Sequence, residues 1–279
     1  MIDDSGKTLI EKVDAIDDGG YHTTHTPLIS KTQEDYISNH IQLLLKGVEY
    51  LDCPSVSVMS VGAGHGYYEK QLATEVEFNI DYILAVEPNK CFEGELRENL
   101  NSTGSKFRID LCKFDENYES NESFDLIIFQ HSLYYMKNPV ASLKRAKKLL
   151  KEGGKIVVLI AGEQGISRQI SLTLDKHLKD SSKLPHLFGA PELINGLEAC
   201  SIQHEVMEEQ ITLVDNDDFI SGRDKKLFPS FLTQIEYETL PANVQESLYD
   251  RIKAMSFVDE SSGRYKCTSC TVLITIPWN

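Results

Sequence analysis

Three glycines spaced two residues apart, Gly62, Gly64 and Gly66, have the clearest chemical meaning in this chain. They follow an alternating apolar run at residues 56–61, and Glu87 comes 25 residues after the first of them. Glycine allows positive φ angles and close approach of a ligand to the backbone. A strand that turns there into a helix presents free N–H groups, and a carboxylate ending the next strand can accept hydrogen bonds from a ribose. These residues predict a site for a nucleotide-type cofactor.

The glycine spacing also narrows the kind of ligand. Gly-x-Gly-x-Gly differs from the Gly-x-Gly-x-x-Gly that commonly holds a dinucleotide pyrophosphate, and the sequence contains no Gly-x-x-x-x-Gly-Lys-Ser/Thr loop. The pattern therefore favours a nucleoside without phosphates. Two alternatives stay open, namely a glycine turn without function followed by a surface glutamate, and the site of an NAD-dependent oxidoreductase.

Alternating strands and helices must position this loop. A helical pattern precedes it, and helical patterns separate five strand-like runs at residues 56–61, 82–86, 107–109, 123–129 and 155–161. The continuous apolar run at 123–129 is typical of a strand covered on both faces. After Gly162 helical patterns dominate, with strand-like pieces near 202–213 and 268–276. This order predicts an α/β fold whose parallel strands bind a ligand at their carboxyl ends.

Composition limits the partners. The chain of 279 residues carries 43 acidic and 28 basic residues, a net charge of -15 that disfavours nucleic acid and anionic membranes and suits a small cationic or neutral partner. Because it lacks an apolar run of membrane-spanning length and a secretion signal, we expect a cytoplasmic protein. We also expect a monomer. Its six cysteines form no disulfide-like framework, and Cys267-x-x-Cys270 lacks the further ligands of a zinc site, so no metal is expected.

The glycine loop, the second-strand acid and the polar end of the fourth strand resemble class I S-adenosylmethionine-dependent methyltransferases over residues 50–162. A narrower resemblance, to histamine N-methyltransferases, lies in residues 85–88, 133–139 and 157–165, and more weakly in 218–222 and 231–233. The resemblance implies a Rossmann-like sheet of seven mostly parallel strands, the last antiparallel, with helices on both faces and a helical substrate-side cap. It implies one domain over 1–279, divided into a methyl-donor half at 50–162, a cap at 163–265 and a closing strand at 266–279.

The same resemblance implies S-adenosyl-L-methionine as the cofactor. Gly62 and its neighbours would face the methionine part of this donor, Glu87 would bind the ribose hydroxyls, and Gln130 would lie beside the donor. The full set implied for donor binding is Gly62, Ala63, Gly64, Glu87, Pro88, Phe92 and Gln130.

On the acceptor side the resemblance implies a pocket with aromatic walls. Glu34 would contact the amine and act with His131 in catalysis, and the other implied acceptor residues are Tyr21, Tyr134, Tyr135, Phe231 and Thr268. This chain departs from the family at several places. His131 stands where the family has a glutamine, Thr268 stands for an asparagine, and two tryptophans expected just after Gly165 are absent. Such changes in a small pocket alter specificity.

We therefore predict an N-methyltransferase acting on a small amine or imidazole of the histamine type. A sulfonium methyl group is already activated, so the enzyme mainly has to hold the nucleophile in line with it. Two alternatives are a methyltransferase for an oxygen or carbon acceptor, in which His131 serves as general base, and a non-catalytic protein that binds S-adenosylmethionine.

Overall fold

The computed structural model of the chain describes residues 9–48, 54–214, 226–261 and 263–278, and for residues 24–36 it describes the backbone alone. The chain divides into two compact units. Unit 1 comprises Met1–Ser38, Ala161–Gly189 and Gln210–Cys270, and unit 2 comprises Asn39–Ile160, Ala190–Glu209 and Thr271–Asn279. The domain boundaries predicted from the sequence remain a prediction.

Helices and strands alternate through most of the first two thirds of the chain, although the third strand is followed directly by the fourth. The helices are α1 (Asp18–Val48), α2 (Tyr67–Glu75), α3 (Glu93–Asn101), α4 (Pro139–Lys147), α5 (Ile166–Asp175), α6 (Ala190–Ala199), α7 (Leu227–Thr233) and α8 (Ala242–Ala254). The strands are β1 (Ser55–Val61), β2 (Asn79–Val86), β3 (Lys106–Asp110), β4 (Phe124–Gln130), β5 (Leu150–Ala161), β6 (Glu205–Val214), β7 (Ser256–Val258) and β8 (Tyr265–Pro277). Within the described residues, no helix is long and apolar enough to cross a membrane.

The strands form one sheet in the order β3-β2-β1-β4-β5-β8-β6, and the short β7 pairs with β8. Strands β1 to β5 pair in parallel. Strand β8 is antiparallel to β5, because Gly162 N donates to Cys270 O while Trp278 N donates to Gly154 O. The strand order reverses between β1 and β4, which is where such sheets bind ligands. The predicted α/β class with a Rossmann-like, mostly parallel sheet is confirmed.

Burial explains why β1 and β4 lie at the centre of this sheet. Every residue of β1 after Ser55 is buried, and so is every residue of β4 before Gln130. Each fully buried large aliphatic side chain contributes roughly 1.5 to 3 kcal/mol relative to an exposed one. The continuous apolar run in β4 is therefore explained by two covered faces, as its sequence predicts.

One predicted boundary is wrong. The pattern predicts that a helix extends to Leu150 and that Gly153 and Gly154 separate it from the fifth strand. Instead α4 ends at Lys147, and β5 begins at Leu150 and continues through both glycines. The pairing with β4 shifts register there, and Gly153 has a φ of 77°. Glycine can adopt this angle without strain, so the two residues form a bulge inside the strand.

Unit 1 contains a helical core of its own. The helices α5, α7 and α8 pack through apolar residues at helical spacing, among them Ile166, Ile170 and Leu174 of α5. Their partners include Leu232 of α7 and Leu248 of α8. The helical patterns predicted beyond Gly162 are thus confirmed, although α8 ends at Ala254 and the chain continues into β7.

Candidate functional site

The glycine loop lies where β1 and β2 end side by side in unit 2. Val61 of β1 is opposite Val86 of β2, and Gly62 N donates to Val86 O at 2.7 Å. Gly62, Gly64 and Gly66 have φ angles of 76°, 54° and 77°, which favour glycine. A Cβ on Gly62 would lie 2.4 Å from the Cβ of Ser132, whereas one on Gly64 would meet no atom within 4 Å. The loop is therefore tightly packed at Gly62 and open at Gly64.

Glu87 lies against this loop, as the sequence predicts. Its side chain is buried, Oε2 accepts a hydrogen bond from Gly64 N at 2.8 Å, and Oε1 accepts one from Asn89 N at 2.8 Å. An ionised carboxylate has about four acceptor sites, so two backbone bonds can coexist with bonds to a diol. The acid and the glycine bend are thus in direct contact through this hydrogen bond.

Three buried polar atoms around the loop have no hydrogen-bond partner in the part of the chain that the structure describes. They are Gln130 Nε2 at the end of β4, Ser132 Oγ, and Glu69 Oε2 in the first turn of α2. Most buried polar side-chain atoms in proteins have a partner. These atoms therefore fit a polar ligand at the carboxyl ends of β1 and β4, and Gln130 is one of the predicted donor residues.

Phe92 and His65 support the loop from within unit 2. Phe92 is 1% exposed, and its ring centroid lies 4.4 Å from that of His65, which also stacks on Tyr67. The side chain of Asn99 donates to His65 O at 2.8 Å and ties the loop to α3. His65 is thus a packed residue of the loop. Pro88 is exposed, and the predicted contacts of Ala63, Pro88 and Phe92 with a donor remain predictions.

A hydrogen-bonded group forms around His131, just beyond β4. His131 Nδ1 lies 2.9 Å from the Tyr134 hydroxyl, and His131 Nε2 lies 3.1 Å from His40 Nε2. His40 Nε2 is also 3.2 Å from Thr271 Oγ1. His131 has a φ of 49°, a left-handed conformation that is uncommon outside glycine and concentrates at functional sites. Burial lowers the pKa of His131 to about 4, so its imidazole is neutral at neutral pH.

The sequence analysis missed His40. Its only local signal is a place on the apolar face of α1, three residues after Ile37 and one before Ile41, both of which are buried. If His131 formed a direct hydrogen bond to the methyl acceptor, that bond would have to replace one of the two hydrogen bonds that its ring makes to Tyr134 and His40.

The remaining predicted acceptor residues fall in different places. Tyr134 is buried and Tyr135 is 51% exposed, both in unit 2, with ring centroids 6.2 Å apart. Tyr21 and Phe231 lie in unit 1, with ring centroids 6.3 Å apart. Thr268 is exposed on β8. The side chain of Glu34 and the whole of residues 218–222 lie outside the described residues. The roles predicted for all these residues remain predictions.

Glu69 is the second group near the loop with a shifted pKa. Its Oε1 accepts a short hydrogen bond from Ser60 Oγ. Burial, and to a smaller extent the negative charge of Glu87, raises the pKa of Glu69 to about 7 against the opposing effect of its hydrogen bonds. Near neutral pH the carboxyl is therefore partly protonated.

We expect His131 and Glu69 to make the free energy of unfolding depend on pH in opposite directions. Folding lowers the pKa of His131 from 6.5 to about 4, so stability rises with pH across that interval. Folding raises the pKa of Glu69 from 4.5 to about 7, so stability falls as the pH increases across that second interval. Each slope is about 1.4 kcal/mol per pH unit, and the two nearly cancel between pH 4.5 and 6.5.

Urea denaturation at a series of pH values tests this balance. In Glu69→Gln the stability should rise by about 3 kcal/mol as the pH increases from 4 to 6.5, because the His131 effect is no longer offset by Glu69. In His131→Asn it should fall by about 3 kcal/mol between pH 4.5 and 7. Variants whose pH profiles match that of the wild type would contradict both protonation states.

The sheet order and the glycine loop beside Glu87 define a Rossmann-like protein that binds a nucleoside cofactor. Residues 29–200 match the model of a methyltransferase domain family, and the chain belongs to that family. This membership confirms the predicted class, an S-adenosylmethionine-dependent methyltransferase, and with it the predicted cofactor. No curated protein matches the chain.

Solved structures similar to this chain share its fold at low sequence identity. A Thermotoga maritima S-adenosylmethionine-dependent methyltransferase, named as a possible histamine N-methyltransferase, is 16% identical, with 94% of this chain and 99% of that one covered and a TM-score of 0.51. The [4+2]-cyclase SpnF is 14% identical, with coverage of 97% and 98% and a TM-score of 0.54. The plantazolicin methyltransferase BamL, solved with S-adenosylhomocysteine, is 15% identical, with coverage of 92% and 90% and a TM-score of 0.50.

Proposed function

We propose that this enzyme methylates a nitrogen atom of a small amine or imidazole, with histamine-like molecules as the acceptor class. The observation that carries the proposal is the neutral His131, hydrogen-bonded to Tyr134 directly after the strand that ends in Gln130. The departure of His131 from the family pattern points to a related imidazole or amine as readily as to histamine itself.

The proposed donor site consists of the glycine loop, Glu87 and the end of β4. Gly62, Ala63 and Gly64 offer backbone to the methionine part, and Glu87 accepts from the ribose hydroxyls. Gln130 donates from Nε2, which has no hydrogen-bond partner within the described ranges, while Pro88 and Phe92 border the adenosine part. When bound, S-adenosylmethionine supplies a methyl group on a positively charged sulfur, which needs little acid catalysis.

The proposed acceptor site works by positioning. Well-oriented reactants can supply roughly 7 to 11 kcal/mol of barrier reduction. A neutral His131 holds the Tyr134 hydroxyl at 2.9 Å, and this pair orients the acceptor nitrogen. Glu34 and the aromatic residues Tyr21, Tyr135 and Phe231, together with Thr268, remain in the proposal as the further acceptor contacts.

Protonation of the acceptor favours an imidazole over an alkyl amine. The attacking nitrogen must be unprotonated, and an imidazole with a pKa near 6.5 is mostly neutral at pH 7 whereas an alkyl amine is charged. The net charge of -15 suits an acceptor that carries a positive group elsewhere. A general-base role of His131 toward a hydroxyl or carbon acceptor is less suited to this site, because a pKa of about 4 makes a weak base at neutral pH.

A panel of small imidazoles, amines, alcohols and carbon acids, offered with methyl-labelled S-adenosylmethionine, tests the proposal. We expect label in a product one methyl group heavier, with fragmentation placing that group on nitrogen, and faster turnover for imidazoles than for alkyl amines at pH 7. Labelling of oxygen or carbon acceptors alone would overturn the nitrogen assignment. Binding of S-adenosylhomocysteine without turnover of any compound would favour the non-catalytic alternative.

A further inference from the structure

Glu69 is a buried acid that neither the predicted fold nor the proposed function uses. It lies in the first turn of α2, three residues after Gly66, and is 5% exposed. Ser60 Oγ donates to one of its oxygens, while Oε2 is buried without a hydrogen-bond partner among the described residues. A buried carboxyl oxygen without a partner points to a donor group that the described part of the chain does not provide.

The Glu69 side chain lies close to the glycine loop. Ser60 lies on β1 two residues before Gly62, and Glu87 raises the pKa of Glu69 through its charge. Two other ionisable groups near the loop pair with each other, since His65 Nε2 lies 3.2 Å from Glu95 Oε2. No described cation forms an ion pair with Glu69, and the loop adds further negative charge through Glu87.

We propose that Glu69 recognises the ammonium group of the donor's methionine part, accepting a hydrogen bond from it on Oε2. The inference rests on the donor site proposed above and adds a residue that selects for the amino-acid part of the ligand. The donors Gln130 Nε2 and Ser132 Oγ are both buried without a partner in the described part of the chain, and they suit the carboxylate of the same amino acid. An ammonium group can only donate and a carboxylate can only accept, so the three orphan atoms match both charged groups.

The protonation of Glu69 links this recognition to pH. A protonated carboxyl offers a weaker acceptor to a cation, so binding favours the ionised form. Because the pKa of Glu69 is about 7 in the free protein, binding near neutral pH should release about half a proton. Affinity for the amino-acid part should fall roughly tenfold for each pH unit below that pKa. This pH dependence of affinity arises from the ammonium group of the ligand, so a ligand that lacks this group should show no such dependence.

Titration calorimetry with two ligands tests the proposal. S-adenosylhomocysteine carries the ammonium group, and 5′-methylthioadenosine keeps the adenosine and sulfur but lacks the amino acid. In Glu69→Gln we expect about 10- to 100-fold weaker binding of S-adenosylhomocysteine, the size of a lost charged hydrogen bond, and unchanged binding of 5′-methylthioadenosine. Glu75→Gln, an exposed glutamate of the same helix, should change neither. Proton release, measured in buffers of different ionisation enthalpy, should accompany only the first ligand and disappear in Glu69→Gln.

The outcomes separate this proposal from the donor site on which it rests. If the wild type binds neither ligand, the donor site itself is wrong. If it binds both with similar affinity and equal proton release, or if Glu69→Gln weakens both equally, the role of Glu69 is overturned while the donor site stands. The wild-type comparison of the two ligands needs no variant, so equal proton release would overturn the role of Glu69 even if Glu69→Gln does not fold.

Discussion

Replacing Glu87 with alanine is expected to weaken the binding of S-adenosylhomocysteine by about 100- to 1000-fold. The carboxylate holds Gly64 N and Asn89 N at 2.8 Å each and, in the proposed site, accepts from two ribose hydroxyls. Hydrogen bonds to a charged group contribute roughly 1.5 to 3 kcal/mol each. Losing two bonds at the lower end of that range, about 3 to 4 kcal/mol together, corresponds to an effect of this size, and the loop loses its bond at Gly64 as well.

The measurement is a calorimetric titration of wild type and variant, with thermal unfolding as a check on folding. Glu87→Gln, which keeps one acceptor oxygen, should bind S-adenosylhomocysteine with an affinity between those of the wild type and Glu87→Ala. Glu98→Gln changes an exposed glutamate on α3 and should bind like the wild type. A folded Glu87→Ala variant that binds the nucleoside with wild-type affinity would remove Glu87 from the donor site.

Replacing His131 with asparagine is expected to lower kcat/KM at least about 100-fold while leaving donor affinity unchanged. His131 positions the Tyr134 hydroxyl at 2.9 Å and contacts His40 at 3.1 Å, and misplacement of a positioned group by about 1 Å can cost this much. Asparagine tolerates the left-handed backbone at this position, where φ is 49°. The loss should therefore report the side chain and not a distorted chain.

A double-mutant cycle with Tyr134→Phe shows how His131 acts. If His131 works through the Tyr134 hydroxyl, each single variant and the double variant should lose a similar amount. His204→Asn, which alters a histidine bonded to the backbone of Ile202, is the control. Because the pKa of His131 is about 4, no loss of rate between pH 5 and 9 should arise from its protonation. A rate limb near pH 6.5 that vanishes in His131→Asn would contradict the neutral imidazole.

The donor loop could be predicted from sequence because its requirements are local. Positive φ at Gly62, Gly64 and Gly66 needs glycine, and alternating apolar residues before them specify a strand. The position of Glu87 against Gly64 follows from two parallel strands ending together. The boundary at Gly153 could not be predicted, because a glycine pair serves equally well as a turn and as a bulge inside a strand, and the pairing with β4 decides between them.

The sequence alone determined the α/β class, the ligand site at the carboxyl ends of the strands and the family, because these depend on periodicity and on residues near one another in sequence. Tertiary structure alone brought His40 to His131, which lies 91 residues further along the chain. It also left an oxygen of Glu69 without a hydrogen-bond partner among the residues that the structure describes. The protonation states of His131 and Glu69 belong to the folded state as well, because a pKa shift of this kind arises from desolvation, and burial exists only after distant segments have packed together.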